Sequence, residues 1–133
     1  MDLGIAGKTA VVSASSAGLG YATAAALAEA GCKTVISGRT EERLTKAAKT
    51  IPNSIPILAD VSTIEGSQNL IRDAKSQLGT SIDILVTNAG GPPPGTFAST
   101  NINEYMEAIK LNLMSVVAMC KEAAPDMQKK KWG

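Results

Sequence analysis

The sequence predicts an α/β fold in which helices cover both faces of a parallel β-sheet. The prediction rests on the regular alternation of short apolar segments with longer helix-forming segments along the 133-residue chain. Repeated strand–helix–strand units of this kind, joined by right-handed crossovers, build a doubly wound parallel sheet. The length and the 44% apolar composition suit one buried core, so residues 1–133 are expected to form a single domain.

The first strand and the first helix have clear boundaries in the sequence. An apolar run within Lys8–Ser13 suits a buried strand. From Gly18 to Ala30 the chain is rich in residues of high helix propensity, and Gly31 then supplies the left-handed residue on which helices commonly end. A second short strand is expected from Thr34 to Gly38.

The same pattern occurs twice more in the middle of the chain. Thr40 can cap a second helix that runs through residue 50 and ends before Pro52. Residues 55–58 predict a third strand. Ser62 can then cap a third helix, which Gly79 closes.

A loop rich in proline and glycine separates the fourth strand from the last helix. The strand is expected at residues 82–86, and the loop at 90–95 can form neither a helix nor an interior strand. The last helix is expected to begin near Asn101 or Asn103 and to run to about Lys130. Its main apolar stripe comprises Tyr105, Ile109, Leu113, Val116, Cys120 and Met127.

Composition excludes several classes of function. The formal charge of +1, with acids and bases mixed along the chain, offers no surface for nucleic acid or an anionic membrane. The chain contains no histidine, which removes Ser/His and Cys/His nucleophile pairs, and Cys32 and Cys120 lack the spacing of metal ligands. We expect two packed thiols, no metal site and, since no leader or membrane-spanning run is apparent, a cytoplasmic protein.

The turn between the first strand and the first helix is a candidate site for a phosphate-bearing ligand. Its small residues let a pyrophosphate approach the N–H groups at the start of the helix. It is neither a P-loop nor the dinucleotide fingerprint, because Thr23 stands where the third glycine of that fingerprint would be. A tight turn without a ligand is the alternative. The candidate cofactor-binding residues here are Ser13, Ala14, Ser15, Ser16, Gly18, Leu19 and Gly20.

Four ordered motifs resemble those of the short-chain dehydrogenase/reductase family. The phosphate turn of that family reads Thr-Gly-x-x-x-Gly-x-Gly and aligns with residues 13–20, and the resemblance extends through Lys130. It implies a Rossmann-type sheet of strand order 3-2-1-4 that stops before the fifth strand. The other motifs are an adenine motif at Asp60 and Val61, a sheet-stabilising motif at Asn88, Ala89 and Gly90, and a catalytic asparagine at Asn112 between Leu111 and Leu113.

Each of these residues also has a purely structural interpretation. Asp60 could simply precede a helix and Asn88 could form a turn before Gly90, since Asp and Asn side chains readily bond their own backbone. Asn112 could be a satisfied structural amide among apolar neighbours. Ala14 replaces the first glycine of the family, so its Cβ is expected either to require a negative φ or to push the backbone away from the cofactor.

The resemblance implies NADP(H) as the cofactor in preference to NAD(H). An enzyme selective for NAD is expected to carry Asp or Glu after the second strand, near the ribose 2'-hydroxyl, but this chain has Gly38 followed by Arg39. A guanidinium can bind a 2'-phosphate with two parallel hydrogen bonds. Alternatively, Arg39 could be a surface residue neutralised by Glu41 and Glu42.

The resemblance also implies that these 133 residues lack part of the catalytic group. The family uses a Tyr, a Lys four residues later, a Ser and an Asn, and only the Asn has a counterpart here, at Asn112. Ala25 and Ile109 stand four residues after Tyr21 and Tyr105, so no Tyr-x-x-x-Lys is present. The chain alone is therefore expected to be inactive.

The whole protein is expected to transfer hydride between NADPH and a small carbonyl or alcohol substrate. Its Asn-Ala-Gly-Gly-Pro-Pro-Pro loop resembles that of 3-oxoacyl-acyl-carrier-protein reductases, which makes a 3-oxoacyl thioester one candidate substrate. The alternatives are a nucleotide-binding module without catalysis, or a fragment completed by another chain, and, ranked last, an S-adenosylmethionine-binding protein. Met106, Met114 and Val117 widen the apolar arc of the last helix, so a homo-oligomer formed through that helix is expected.

Overall fold

Four parallel strands form the centre of the molecule. A computed structural model describes all of residues 1–133 and places the strands in the order β3-β2-β1-β4. Val11 lies opposite Val35 on one side and Leu85 on the other. The strands are β1 (Thr9–Val12), β2 (Lys33–Gly38), β3 (Ile55–Leu58) and β4 (Ile84–Val86). The parallel sheet and its strand order are as predicted.

Five α-helices connect and flank the strands. The first three are α1 (Gly18–Glu29), α2 (Glu41–Ala48) and α3 (Ile64–Leu78). After the proline-rich loop come α4 (Ile102–Ile109) and α5 (Ser115–Lys130), joined without a break by one π-helical stretch, Lys110–Met114. The last helix of the sequence prediction is therefore one continuous helical segment with a π-helical insertion. No helix is long and apolar enough to span a bilayer.

The core lies on both faces of the sheet. Because successive side chains of a strand point to opposite faces, Val11 packs into one cluster and its neighbour Val12 into the other. The first cluster is covered by α3 and α5 and includes Leu70, Ile71, Met119 and Ala123. The second is covered by α1 and α2 and includes Ala24, Leu44 and Ala47.

The cap of α3 differs from the prediction by one residue. Thr63 is the N-cap, and its Oγ1 accepts the Gly66 N–H at 2.9 Å. Ser62 precedes the cap, and its hydroxyl donates to Asp60 Oδ1 at 2.6 Å. At the other end, Gly79 adopts φ 70° and closes the helix as predicted.

The last helical segment buries only part of its predicted apolar stripe, since Val116 and Met127 are half-buried and Met127 packs against the core. Tyr105, Ile109, Leu113 and Cys120 are exposed, whereas the buried residues of α5 are Ser115, Ala118, Met119 and Ala123. Small side chains bring the backbone of α5 close to its neighbours, and ion pairs then join it to α3, Arg72 to Glu122 at 2.7 Å and Lys75 to Asp126 at 2.6 Å. The expectation that both thiols are packed is correct for Cys32 and wrong for Cys120.

One polar cluster fixes the end of α5 to the beginning of the sheet. The Lys130 ammonium forms an ion pair with Asp83 and donates to the carbonyl of Ile82 at 3.0 Å. Asp83 Oδ2 also accepts the Thr9 N–H at 2.9 Å. Burial raises the pKa of Asp83, but the hydrogen bonds from Lys130 and Thr9 outweigh it, so that the pKa lies below its usual value. The carboxylate is thus held in its charged form.

Candidate functional site

A cleft of about 960 Å³ opens at the carboxyl ends of the strands. In an open parallel sheet this edge is where ligands bind, between the loops that leave neighbouring strands. The loops after all four strands contribute to its walls. The residues singled out in the sequence that line it are Ala14, Ser16, Gly18, Leu19, Arg39, Asp60, Val61, Asn88, Ala89 and Gly90.

The start of α1 forms the part of the cleft suited to a phosphate. Ala17 is in an extended conformation at the N-cap, and no side chain caps the helix. The first N–H groups of a helix lack partners within the helix, and with its dipole they favour an anion. This end of α1 therefore has donors available for a pyrophosphate.

Gly20 is the position in this turn where a side chain has no room. A Cβ there would lie 2.5 Å from the carbonyl oxygen of Ala14 and 2.6 Å from Nδ2 of Asn88. Both atoms belong to the hydrogen bond that closes the turn, in which Asn88 Nδ2 donates to Ala14 O at 2.9 Å. The glycine thus allows the close approach of α1 to the loop after β4.

Ser13 and Ser15 lie beneath the cleft and are fully buried. The Ser13 hydroxyl donates to Asn88 O at 2.6 Å and accepts the Asn88 N–H at 2.7 Å. The Ser15 hydroxyl donates to Val12 O at 2.6 Å and accepts the Ser37 N–H at 2.9 Å. Both serines thus hold the turn against the neighbouring strands, and their hydroxyls are already occupied by the protein.

Ala14 adopts a positive φ, so the expectation of a negative φ at this residue is wrong. Its φ is 47°, in the left-handed region that favours glycine. Two hydrogen bonds hold it there, from the Ala14 N–H to Ser37 Oγ at 3.1 Å and from Asn88 Nδ2 to Ala14 O. Surrounding contacts therefore enforce the turn geometry that a glycine would adopt more readily.

Asp60 presents one free carboxylate oxygen at the cleft. Its Oδ1 accepts from the N–H and the hydroxyl of Ser62, at 3.0 and 2.6 Å, while Oδ2 accepts no hydrogen bond within the chain. The bond from the Ser62 hydroxyl is the main cause that lowers the pKa of Asp60, and the charge of Arg39 lowers it further against the effect of burial. Oδ2 can therefore accept a hydrogen bond from an amino group such as that of adenine.

Arg39 lies at the rim of the cleft with its guanidinium unpaired. It forms no hydrogen bond and no ion pair with any residue of the chain, including Glu41 and Glu42. The alternative in which these glutamates neutralise it therefore has no support in the geometry. A charged donor without a partner remains beside Gly38 at the end of β2.

Asn112 lies outside the group of cleft residues. It is exposed within the π-helical stretch, and its Nδ2 donates to the carbonyl of Ala108 at 3.0 Å. The expected apolar surroundings are absent at this residue. A π-helical insertion is frequently found at functional sites, and here it displaces Asn112 from the regular helical register.

Several residues that line the cleft carry no motif in the sequence. Arg43 of α2 lines the cleft together with Arg39, and no signal in the sequence identified it. The opposite wall is formed by the proline-rich loop and by α4. The further residues there include Pro92, Pro93, Asn101, Glu104, Glu107 and Leu111.

Comparison with known proteins decides the family. The family model described as short chain dehydrogenase matches residues 8–133. The chain belongs to the short-chain dehydrogenase family. Among curated members of this family, 3-oxoacyl-[acyl-carrier-protein] reductase FabG of Aquifex aeolicus is 31% identical over 137 residues, covering 100% of this chain and 55% of the relative.

Solved short-chain dehydrogenase structures share the fold. L-sorbose reductase from Gluconobacter frateurii, complexed with NADPH and L-sorbose, superposes with a TM-score of 0.90 at 31% identity, over 98% of this chain and 51% of that one. The Pseudomonas aeruginosa RhlG/NADP complex gives a TM-score of 0.80 at 29% identity, over 94% of this chain and 50% of that one. The chain thus spans about half the length of these members of the family.

Proposed function

We propose that this chain is the NADP(H)-binding half of an oxidoreductase that reduces or forms a carbonyl group. The unpaired guanidinium of Arg39 at the rim of the cleft is the observation that carries the proposal. The position after β2 holds a basic residue where an NAD-selective site has a carboxylate. Two structural neighbours, L-sorbose reductase and RhlG, are complexes with NADPH and NADP, which supports the same cofactor here.

The residues of the cleft fit the parts of NADP(H). The uncapped start of α1 suits the pyrophosphate, and Gly20 provides the close approach that this turn needs. Oδ2 of Asp60 suits the adenine amino group, and Arg39 suits the 2'-phosphate. When bound, the cofactor would supply hydride for the reduction of a carbonyl or accept it when a carbonyl is formed, and the residues of the cleft would bind and orient the cofactor.

The substrate class proposed for the whole protein is a small carbonyl or alcohol compound. The 31% identity with a 3-oxoacyl-[acyl-carrier-protein] reductase supports a 3-oxoacyl thioester as one candidate.

Asn112 is the residue of this half proposed to take part in proton transfer. The 133 residues contain no Tyr-x-x-x-Lys, so we expect them to bind the cofactor without turning it over. A nucleotide-binding module without catalysis would bind the cofactor in the same way. An activity assay of the whole protein distinguishes such a module from an oxidoreductase.

Replacing Arg39 with glutamine tests the choice of cofactor. We expect the parent chain to bind NADPH more tightly than NADH in calorimetric titrations. In Arg39→Gln the affinity for NADPH should fall about 10- to 100-fold, as expected for lost hydrogen bonds to a charged group. The affinity for NADH, which has no 2'-phosphate, should stay the same. Equal losses for both cofactors, or an NADH preference in the parent chain, would contradict the proposal.

We also propose that the chain associates with a second copy through α4 and α5. The supporting observation is a continuous exposed apolar face, of a kind that marks interaction sites. Its residues include Ile102, Met106, Ile109, Leu113 and Val117. Cys120 lies three residues after Val117 and is the exposed thiol, whereas Cys32 is buried.

The thiol of Cys120 provides the test of this association. A bis-maleimide should link two copies through Cys120 at micromolar protein, and light scattering should give twice the mass of one chain. Leu113→Asp should abolish both results, while Cys120→Ser should abolish the cross-link alone. A monomeric mass with no cross-linked product would refute the proposal.

A further inference from the structure

A second arginine shares the wall of the cleft with Arg39. Arg43 is the third residue of α2 and lines the same cleft. Its guanidinium forms no hydrogen bond and no ion pair within the chain. Two free guanidinium groups therefore stand four residues apart beside the end of β2. Both side chains are exposed, so neither arginine contributes to the packing of the core.

The acidic residues of α2 form no ion pair with either arginine. Glu41 and Glu42 line a separate shallow groove on another side of the helix, together with Thr45, Lys46 and Lys49. Thr40 is the N-cap of α2, but its side chain accepts no hydrogen bond from the first turn of the helix. Beside the cleft, the N-terminus of α2 is therefore flanked by Arg39 on the preceding loop and Arg43 in the helix, and both guanidinium groups favour an anion.

The charge of a phosphate monoester requires more than one cation. Such a group carries about −1.5 to −2 charges near pH 7 and three acceptor oxygens. Arg39 alone supplies one positive charge, and the Asp60 carboxylate on the neighbouring loop adds a negative one to the same cleft. A second guanidinium brings two positive charges to this part of the cleft, which reduces the net negative charge without cancelling it.

We infer that Arg43 is a second specificity-determining residue, which binds the 2'-phosphate of NADP(H) jointly with Arg39. The inference rests on the proposed function, because it requires that the cleft hold NADP(H). Discrimination between NADP(H) and NAD(H) is then shared by Arg39 on the loop and Arg43 in α2. Each planar guanidinium can bind two oxygens of the group, so the pair can address all three.

The test compares Arg43→Gln with Lys46→Gln. Both substitutions remove one positive charge from exposed positions of α2, but Lys46 faces the separate groove. The probes are NADPH, NADH, 2',5'-ADP and 5'-ADP, titrated calorimetrically into each variant. We expect Arg43→Gln to lower the affinity for NADPH and for 2',5'-ADP about tenfold. Its affinity for NADH and for 5'-ADP should not change. Lys46→Gln should change none of the four.

The outcomes separate this inference from the proposed function. If the parent chain prefers NADPH and Arg39→Gln removes the preference while Arg43→Gln leaves it intact, only the role of Arg43 is refuted. If Lys46→Gln lowers the affinity for NADPH as much as Arg43→Gln does, the loss reflects net charge alone. The proposed role of Arg43 is then refuted as well. If the parent chain binds NADH as tightly as NADPH, or binds neither, the proposed function fails and this inference fails with it.

Discussion

Replacing Gly20 with alanine is expected to lower the free energy of unfolding by about 3 kcal/mol, at the upper end of the range for overpacking, and to abolish nucleotide binding. The added Cβ would stand 2.5 Å from Ala14 O and 2.6 Å from Asn88 Nδ2. Alanine favours a helix over glycine by only about 1 kcal/mol, so the clash dominates. Relief requires α1 to move away from the loop after β4, which breaks the bond between Asn88 and Ala14.

Urea unfolding and NADPH titration measure the two effects. The control is Gly91→Ala, because a Cβ at Gly91 meets no atom within 4 Å and its backbone is not in the left-handed region. Gly91→Ala should unfold at the same urea concentration as the parent chain. A Gly20→Ala variant as stable as Gly91→Ala, with NADPH affinity retained, would show that the turn tolerates a side chain and that the described close approach is wrong.

Truncating Met119 to alanine is expected to cost about 2–5 kcal/mol of stability, as for other large-to-small changes in a core. Met119 is fully buried and belongs to the cluster that α3 and α5 form on one face of the sheet. Its truncation leaves a cavity in the cluster that also contains Val11 and Leu70, and the packed strands and helices around it can close that cavity only in part.

Met106 supplies a matched control for Met119. It is the same residue type in the same helical segment, but its exposed fraction is 49%. Met106→Ala should change the free energy of unfolding by less than about 0.5 kcal/mol. Similar losses in the two variants, measured by urea unfolding at concentrations where the chain is monomeric, would mean that the helical segment is rotated from the described orientation.

The fold could be predicted because its determinants are local. Runs such as Ala10–Val12 and Thr34–Ile36 carry apolar side chains on both sides, which only a strand covered on two faces can bury. Gly31 and Gly79 have positive φ at helix ends, where the sequence prediction placed them. The crossover rule then left few topologies, and the resemblance gave the observed strand order.

Other features depend on contacts between distant segments. The buried face of α5 was not predictable, because its small residues Ser115 and Ala118 pack inside while Leu113 stays exposed. On this side of α5 the core residues Met119 and Ala123 pack with α3, and Arg72 and Lys75 of α3 form ion pairs with its acidic residues. Hydrophobicity alone pointed to the neighbouring stripe, of which Met127 packs against the core.

The candidate site was predictable where a motif follows a strand end. Asp60 and Asn88 line the cleft for this reason. Ser13 and Ser15 were expected to face a ligand, but they are buried beneath the turn and bond the backbone. Arg43 was missed, since only the orientation of α2 shows that it borders the cleft while Glu42 does not.

Amide NMR spectra recorded during an NADPH titration show whether NADP(H) lies across the carboxyl edge of the sheet. We expect the resonances of Gly18, Leu19 and Gly20 at the start of α1 to shift, together with those of Arg39 and Asp60. NADH should reproduce the shifts at α1 and leave Arg39 nearly unchanged. Shifts confined to the groove around Thr45 and Lys46, or no shifts at millimolar cofactor, would show that NADP(H) does not bind at this edge of the sheet.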